Sequence, residues 1–349
     1  MPNCPMQSSL FRYKGAIHIH TKFSDGTGDI DTISKAAKKN GLDWIIITDH
    51  NSLDVEEGIF NGVYVLKGEE ISPENKNNHY LALDIKNLIE PNICPQTNVD
   101  NVKAQGGFGF AAHPDEGVNG RNNKWAPIVW TDKNIIPDGV EIWNWFSNWG
   151  DNLNDRNLFN LAYSYLFKNK IISNPHKETL VWWDKLNNTD KIVPAIGGVD
   201  AHALKIRKYI LPVTVFPYNT CFETIVNIIE LNKPLSNDFE QSKRQILDAI
   251  KAGNNVIVNR KICKNIPFVS ITNGKDEVFC GQKIKLTDET FLKIQTDKNV
   301  EIRLICNGKL IGKINSDNVN YHITETGKYR LEFTIKDKDF AFTNHICVV

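Results

Sequence analysis

The stretch HIHTKFSDG at residues 18–26 places two histidines two positions apart, just before an acidic Ser-Asp-Gly turn. In a β-strand the side chains at positions i and i+2 point to the same face, so both imidazoles can reach one metal ion. Asp25 follows closely enough for its turn to fold back over the end of that strand. The stretch therefore predicts a strand that ends in a metal site.

The same arrangement recurs along the chain, because successive apolar segments each end in a histidine or a carboxylate. The segment LDWIIITDH at 42–50 ends in Asp-His, GVYVLKGEE at 62–70 ends in two glutamates, and GGVDAH at 197–202 repeats the i, i+2 spacing. Chance polar residues would fall on strand middles and ends alike, so this clustering indicates a metal site. The candidate metal ligands are His18, His20, Asp25, His50, Glu70, His79, His113, Asp200 and His202.

The alternation of apolar strands with helices over residues 15–217 is typical of a β/α barrel, whose chemistry lies at the carboxyl ends of the strands. From residue 263 the sequence changes to short alternating strands separated by turns, which predicts a small all-β sandwich. We therefore expect a metal-binding barrel domain over 1–262, with its core at 15–217, and an accessory β-domain over 263–349.

The end of the predicted barrel domain contains three further segments. CFETIVNIIEL at 221–231 and SKRQILDAIKAG at 242–253 are predicted to be connecting helices. NNVIVNR at 254–260 is predicted to be a strand, because it is rich in β-branched residues.

Composition and charge narrow the classes of function. The chain carries 41 basic and 41 acidic residues, so it lacks the basic surplus of a nucleic-acid-binding protein. No apolar run approaches the roughly 18 residues that a membrane-spanning helix needs. The seven cysteines are scattered without a Cys-x-x-Cys pair, which favours reduced thiols over a disulfide framework. We expect a cytoplasmic protein that binds a small molecule, and neither nucleic acid nor a membrane.

The nine candidate ligands are imidazoles and carboxylates, which suit zinc, manganese or iron(II). Nine donors are too many for one ion, so the set predicts two or three ions with shared carboxylates. Two ions about 3.5–4 Å apart can bridge a hydroxide and stabilise charge during phosphate-ester cleavage, or less often ester or amide cleavage. A hydrogen-bonding role is the alternative for any single histidine, and most of all for His79, which lies early in its predicted strand.

These motifs resemble those of the PHP (polymerase and histidinol phosphatase) superfamily. In chain order the similar elements are H-x-H with S-D-G at 18–26, T-D-H at 48–50, G-x-E at 68–70, His-Pro at 113–114 and G-x-D-x-H at 198–202. The G-x-E element makes Glu70 rather than Glu69 the ligand. The family often has histidine where this chain has Asp25, although aspartate is a familiar variant there.

The resemblance implies a distorted seven-stranded barrel similar to a TIM barrel and a site for two or three divalent ions. By that analogy the three ions are held by His18, His20, Glu70 and Asp200, by Glu70, His79 and His113, and by Asp25, His50 and His202. The Trp-Trp-Asp stretch at 182–184 and the trailing β-domain also resemble the CehA/McbA-like metallohydrolases. That branch includes enzymes acting on carbamate or amide bonds and members labelled only as predicted phosphoesterases.

Several residues are assigned roles in catalysis or substrate binding. Glu70 and Asp200 are expected to act in catalysis, and His176 could protonate a leaving group, although a plain surface loop histidine is an equal alternative. Glu141 is a candidate to hydrogen-bond a metal ligand. A phosphate substrate would also need cations beside the metals. The candidate cations are Arg207, Arg121, Lys177, Lys124 and Arg156.

Three functions are consistent with these features. The first is a metal-dependent phosphoesterase acting on a small phosphorylated metabolite or nucleotide. The second keeps the metals and cleaves a carbamate, ester or amide, which the aromatic-rich segment 143–149 would suit. The third is a ligand- or carbohydrate-binding scaffold, against which the complete set of ligand residues argues.

Overall fold

The structure is a computed structural model that describes residues 10–117, 127–151, 174–206, 213–264 and 266–349. The strands of its first part are β1 (Phe11–Ile19), β2 (Trp44–His50), β3 (Gly58–Phe60), β4 (Val63–Ile71), β5 (Tyr80–Leu83), β6 (Phe108–Ala111), β7 (Asp115–Glu116), β8 (Ile128–Val129), β9 (Gly139–Asn144), β10 (Ala195–Ala201), β11 (Leu204–Ile206) and β12 (Val213–Val215). The described helices are α1 (Ile30–Lys39), α2 (Pro95–Ala104), α3 (Trp145–Asp151), α4 (Lys177–Leu186), α5 (Tyr218–Cys221) and α6 (Phe239–Ala252).

Seven of these strands close into a ring. They pair in the order β1, β2, β4, β5, β6, β9 and β10, and β10 pairs back with β1. Strand β5 is antiparallel to both of its neighbours, whereas the other pairs in the ring are parallel. The chain turns back from β4 into β5 without a crossover helix, which produces this antiparallel strand. The predicted distorted seven-stranded barrel is therefore confirmed.

Two apolar layers hold the barrel together. One buried cluster gathers side chains from six strands around the ring and so fills the barrel interior: Ile17, Ile46, Leu66, Leu81, Phe110 and Ile196. Helix α6 adds Ile246 and Ile250 to the same cluster. Side chains of α1, α2 and α4 belong to a second cluster with alternate strand residues such as Ile45 and Val65. This alternation follows the two-residue period of a strand that is buried on both faces.

The segment 221–231 differs from the prediction, which was wrong in assigning it to one helix. Only its first residue lies in the short helix α5, and residues Ile225–Leu231 form strand β13. This strand pairs antiparallel with the first half of β1 and, on its other edge, with β14 (Asn255–Asn259). Four of its seven residues are β-branched, and all four are buried, which favours a strand with neighbours on both edges.

The predicted helix 242–253 lies within α6. Asp238 caps its first turn by accepting a hydrogen bond from the Gln241 N–H at 2.8 Å. Gly253 ends the helix in the left-handed conformation, with φ of 74°. The predicted strand 254–260 contains β14.

The remaining strands form the all-β part of the chain. They are β15 (Phe268–Thr272), β16 (Glu277–Val278), β17 (Lys283–Ile284), β18 (Phe291–Cys306), β19 (Lys309–His322), β20 (Gly327–Ile335), β21 (Lys338–Thr343) and β22 (Ile346–Val348). Strand β21 pairs with β20 on one edge and with β14 on the other. One ladder of strands thus runs from β1 through β13, β14 and β21 into the C-terminal region. The proposed domain boundary at 262/263 remains a prediction.

Side chains also join the C-terminal region to the barrel. Arg330 on β20 donates two hydrogen bonds to the Asp184 carboxylate of α4, at 2.6 and 2.7 Å. His345 Nε2 lies 3.3 Å from the same carboxylate. The Asn344 amide bonds the backbone N–H and C=O of Ala195 at the start of β10. Among the described helices, none is long and apolar enough to cross a membrane.

Candidate metal centre

The nine predicted ligands lie together at the carboxyl ends of the barrel strands, and Glu70 is at their centre. Its carboxylate ends strand β4 and is fully buried. Five imidazole nitrogens surround the two oxygens: His79 Nδ1 at 2.7 Å and His113 Nε2 at 3.3 Å from Oε1, and His50 Nδ1 at 3.0 Å, His18 Nε2 at 3.2 Å and His20 Nε2 at 3.3 Å from Oε2. This geometry brings His79 into the cluster, although its place early in the strand gave it the weakest sequence signal.

The other two carboxylates complete the cluster from different sides. Asp200 Oδ1 lies 3.3 Å from His20 Nε2 and 3.4 Å from His202 Nδ1. Asp25 Oδ1 lies 3.2 Å from His202 Nε2, and the Asp25 side chain is 55% exposed. Asp25 therefore faces solvent at the mouth of the site, while Asp200 is buried within it.

Three of the nine residues have a left-handed backbone, which side chains with a Cβ rarely adopt. The φ angles are 68° at His18, 27° at His113 and 50° at Asp200. The pairing of β1 with β10 also shifts register between Ile17 and Ile19. Ile17 belongs to the interior cluster, so regular alternation would point His18 outward, and the irregularity turns it inward. His18 and His20 meet as predicted, but on an irregular strand. Such strained positions often mark functional sites.

Asp49 fixes the turn that carries Asp25. Its carboxylate accepts hydrogen bonds from the Thr21 N–H at 2.7 Å, the Thr21 hydroxyl at 2.7 Å and the Ser24 hydroxyl at 2.6 Å. Tyr218 supports the same region by donating its hydroxyl proton to the His20 carbonyl at 2.7 Å. No sequence prediction assigns a functional role to either residue. The T-D-H motif itself was a signal for Asp49, since it places this carboxylate beside a ligand strand end.

Two members of the cluster, Glu70 and His20, have the protonation states that suit cation binding. Burial raises the pKa of Glu70, but the nearby His50 and His18 outweigh burial and hold that pKa well below 4.5. Burial and the neighbouring His202 lower the pKa of His20 to about 3. An ionised carboxylate and a neutral imidazole are the states in which these side chains bind metal ions.

The fit to divalent ions can be tested from the donor atoms themselves. His18 Nε2, His20 Nε2 and Glu70 Oε2 are buried and have no hydrogen-bond partner among the described residues. Burying such atoms without a partner is unfavourable, and a shared cation would satisfy them. Four groups of residues can each hold an ion, because the donor atoms within a group lie within 4.8 Å of one another. The groups are His20, Asp25, His50 and His202; His18, His20 and Glu70; His18, His113 and Asp200; and His50, Glu70 and His79. The residues therefore fit divalent metal ions.

The predicted proton donor and one of the predicted cations, Lys177, lie outside the nine-residue cluster. His176 precedes α4 and its Nε2 lies 2.8 Å from Asp151 Oδ2, outside the nine-residue cluster. Lys177 is exposed at the first position of α4. Arg121, Lys124, Arg156 and Arg207 lie outside the described residues. Within the described ranges, no lysine or arginine forms an ion pair with the cluster.

Aromatic residues of α3 approach the cluster from one side. The Phe146 ring lies 5.5 Å from the His202 ring, measured between centroids. Trp149 packs edge-on against Phe216 at 4.6 Å, next to Phe146. By contrast, the buried Trp183 packs against His345 of the C-terminal region. Trp183 therefore serves core packing, whereas the aromatic side chains of α3 form a wall beside the candidate metal centre.

Comparison with known proteins agrees with the motifs. Residues 16–108 match the family model of the PHP domain, from β1 to the first residue of β6. This match confirms the family resemblance that the motifs predicted, whereas the CehA/McbA-like branch stays a prediction.

Two known proteins are also similar to this chain. An uncharacterized protein of Methanocaldococcus jannaschii is 28% identical over an alignment of 191 positions, which covers 49% of this chain and 98% of that protein. A crystal structure from Bacteroides vulgatus aligns over 96% of this chain and 95% of its own, with a TM-score of 0.48 and 16% identity. It is described as a two-domain protein containing a predicted PHP-like metal-dependent phosphoesterase.

Proposed function

We propose that the PHP domain is a metal-dependent phosphoesterase that hydrolyses a small phosphorylated metabolite or nucleotide. The observation that carries this proposal is the convergence of nine imidazole and carboxylate side chains in four overlapping donor groups. Glu70 belongs to two of these groups, and its carboxylate has two oxygens, so it could be shared between neighbouring ions. Sites with adjacent divalent ions are common in enzymes that cleave phosphate esters.

The ions would be two or three in number and would be zinc, manganese or iron, as imidazole and carboxylate donors suit. When bound, they supply Lewis acidity at the phosphoryl group and make a water molecule more acidic. Glu70 and Asp200 neutralise part of their charge, and the Asn144 amide holds the Asp200 carboxylate at 3.3 Å. Asp25 is half-exposed at the mouth of the site, so a substrate would pass beside it to reach the ions.

His176 is the proposed proton donor to the leaving oxygen. Burial lowers the pKa of His176, but Asp151 outweighs burial and raises that pKa above 6.5. A raised pKa favours the protonated imidazole, which is the form that a general acid needs. His176 lines one small cavity together with Glu116 and the candidate ligand His113.

The substrate is proposed to be a small anion. Arg207, Arg121 and Lys177 are the proposed phosphate-binding cations, since arginine and lysine pair readily with phosphate oxygens. The net charge of zero argues against nucleic acid as the substrate. The seven scattered cysteines favour reduced thiols, which supports the proposal of a cytoplasmic location.

The proposal is tested by assaying protein loaded with manganese or zinc on an aryl phosphate monoester and on a diester. Wild-type protein should cleave one of the two, and His20→Ala should abolish the activity, because His20 belongs to two donor groups. His322→Ala is the matched control, since that histidine is exposed on β19 and its ring hydrogen-bonds the Asp288 carbonyl. A fully metallated wild-type protein that cleaves neither ester would contradict the proposal.

A carbamate, ester or amide hydrolase is the second candidate. It is favoured by the Phe146 ring beside His202 and by the lack of an ion-paired lysine or arginine around the cluster in the part of the chain that is described. A neutral substrate with an apolar group would suit such a wall. A panel of aryl esters and carbamates, assayed beside the aryl phosphates, decides between the two proposed activities. Cleavage of esters or carbamates without cleavage of the phosphates would exclude a phosphoesterase. Absence of bound metal after reconstitution would favour the third candidate, a binding scaffold.

A further inference from the structure

Glu141 lies inside the barrel, directly beneath the metal ligands. It belongs to β9, next to the interior apolar cluster, and is 1% exposed. A buried carboxylate is unfavourable unless hydrogen bonds stabilise it. The surroundings of Glu141 therefore indicate what this charge does.

The Glu141 carboxylate bonds two candidate metal ligands, one on β1 and one that follows the end of β6. Oε1 accepts a hydrogen bond from His18 Nδ1 at 2.9 Å. Oε2 accepts one from the His113 backbone N–H at 2.7 Å and one from the Asn144 side-chain amide at 3.0 Å. Asn144 in turn donates to Asp200 Oδ2 at 3.3 Å. Glu141 thus connects the ligands of β1 and β10 with the residue that follows β6.

Both histidines contacted by Glu141 have a left-handed backbone, with φ of 68° at His18 and 27° at His113. Such conformations cost free energy and persist only where the surrounding structure holds them. The hydrogen bond to the His113 N–H acts directly on one of these two positions. The hydrogen bond to His18 Nδ1 fixes the ring of the other.

Gly198 provides the space that this carboxylate occupies. A Cβ atom at position 198 would lie 1.6 Å from Glu141 Oε1 and 3.1 Å from His18 Cβ. A contact of 1.6 Å is far inside van der Waals distance, so any side chain there would displace the carboxylate. The G-x-D-x-H motif therefore supplies room for Glu141 as well as two candidate ligands.

We propose that Glu141 is a positioning residue that holds His18 as the tautomer with its proton on Nδ1, so that Nε2 presents a lone pair to a metal ion. A carboxylate in this position also makes the imidazole a stronger donor. The proposal rests on the proposed metal centre, since His18 Nε2 is one of the buried atoms assigned to it.

The Glu141→Gln variant tests this role with almost no change of shape. Glutamine has one acceptor oxygen and one donor amide, whereas the site presents donors to both carboxylate oxygens. If the amide faces His18, that ring must accept at Nδ1 and carry its proton on Nε2, where it blocks metal binding. If the amide faces His113, two N–H groups oppose each other and the strained backbone loses its support.

The experiment titrates metal-free protein with Co²⁺ and follows both affinity and the visible absorption spectrum of the bound ion. Glu141→Gln should weaken Co²⁺ binding by about 10–100-fold and change the spectrum. Glu230→Gln is the matched control, because Glu230 is equally buried on β13 but pairs with Arg12 away from the cluster. It should lower thermal stability without changing the affinity or the spectrum.

A second variant guards against a Glu141→Gln protein that fails to fold. Gly198→Ala keeps the Glu141 carboxylate but its added methyl group displaces that carboxylate. This variant should therefore also weaken Co²⁺ binding and alter the spectrum. Wild-type affinity and an unchanged spectrum in folded Glu141→Gln would overturn the positioning role. Failure of the wild-type protein itself to bind Co²⁺ would instead overturn the proposed metal centre.

Discussion

Asp49 shows how a residue next to a ligand can control the geometry of the site. Adjacent residues in a strand face opposite sides, so His50 points into the cluster while Asp49 points to the turn at 21–25. Three hydrogen bonds then hold that turn against the end of β2. Because this turn carries Asp25, the position of one candidate ligand depends on Asp49.

We predict that Asp49→Ala destabilises the metal-free protein by about 1–3 kcal/mol, because it leaves the Thr21 N–H and two hydroxyls without their acceptor. Urea unfolding of metal-free wild-type and variant protein measures the change. Asp54→Ala, at an exposed position four residues after His50, should change stability by less than about 0.5 kcal/mol. Equal effects of the two substitutions would contradict the role of Asp49.

At this scale the sequence predicted the candidate ligands better than the residues that support them. The spacing of His18 and His20 and the strand-end positions of Glu70 and Asp200 are local patterns, so they could be seen in the chain. The contact of Asp49 with Thr21 joins residues 28 positions apart, and no local pattern encodes it. The left-handed backbone at His18 was equally hidden, since histidine seldom adopts that conformation.

Strand β13 shows why an element can be assigned wrongly while its neighbours are predicted well. Its apolar residues at 225, 226, 228 and 229 fit one face of a helix as well as they fit a doubly buried strand. The pairing with β1 decides between them, and β1 lies more than 200 positions earlier in the chain. By contrast, the strand–helix alternation of the barrel repeats often enough for its period to show in the sequence.

Asn227 connects this strand to the barrel. Its side chain accepts a hydrogen bond from the Gly197 N–H at 3.0 Å and donates one to the Gly197 carbonyl at 2.7 Å. Asn227→Ala should therefore destabilise the protein by about 1–3 kcal/mol, since both groups of β10 are buried. Asn320→Ala, on the exposed β19, is the control and should be nearly neutral. A neutral Asn227→Ala in thermal unfolding would show that β13 does not depend on this contact.

Considered as a whole, the molecule joins its barrel and its C-terminal strands through a buried ionic group. Asp184 of α4 faces both Arg330 and His345, and Lys328 lies near enough to affect the same histidine. Removing one partner of a buried ion pair leaves the other charge uncompensated, which is strongly destabilising. The two regions are therefore expected to unfold together.

Stability should fall as the pH is lowered from 6.5 to 4. Burial lowers the pKa of His345 to about 4, with Arg330 acting in the same direction against Asp184. Between these pH values the unfolded chain binds a proton at this histidine and the folded protein does not, so stability decreases with falling pH, by up to about 3 kcal/mol. Thermal unfolding across this range measures the effect, and His345→Gln should reduce the slope. If the His345→Gln variant kept the wild-type slope, His345 would not be the residue that causes the loss of stability. The control variant His322→Gln should keep the wild-type slope.

The ladder that passes through β14 also determines whether the barrel can be studied alone. A chain cut after residue 262 would lose β21 and expose the backbone edge of β14, where Val256, Ile257 and Val258 are fully or almost fully buried. An apolar edge strand of this kind recruits other chains. We expect the shortened protein to aggregate, visible as light scattering at concentrations where the full chain remains clear. Dissection of this protein into separable modules would therefore have to supply a replacement for that missing strand.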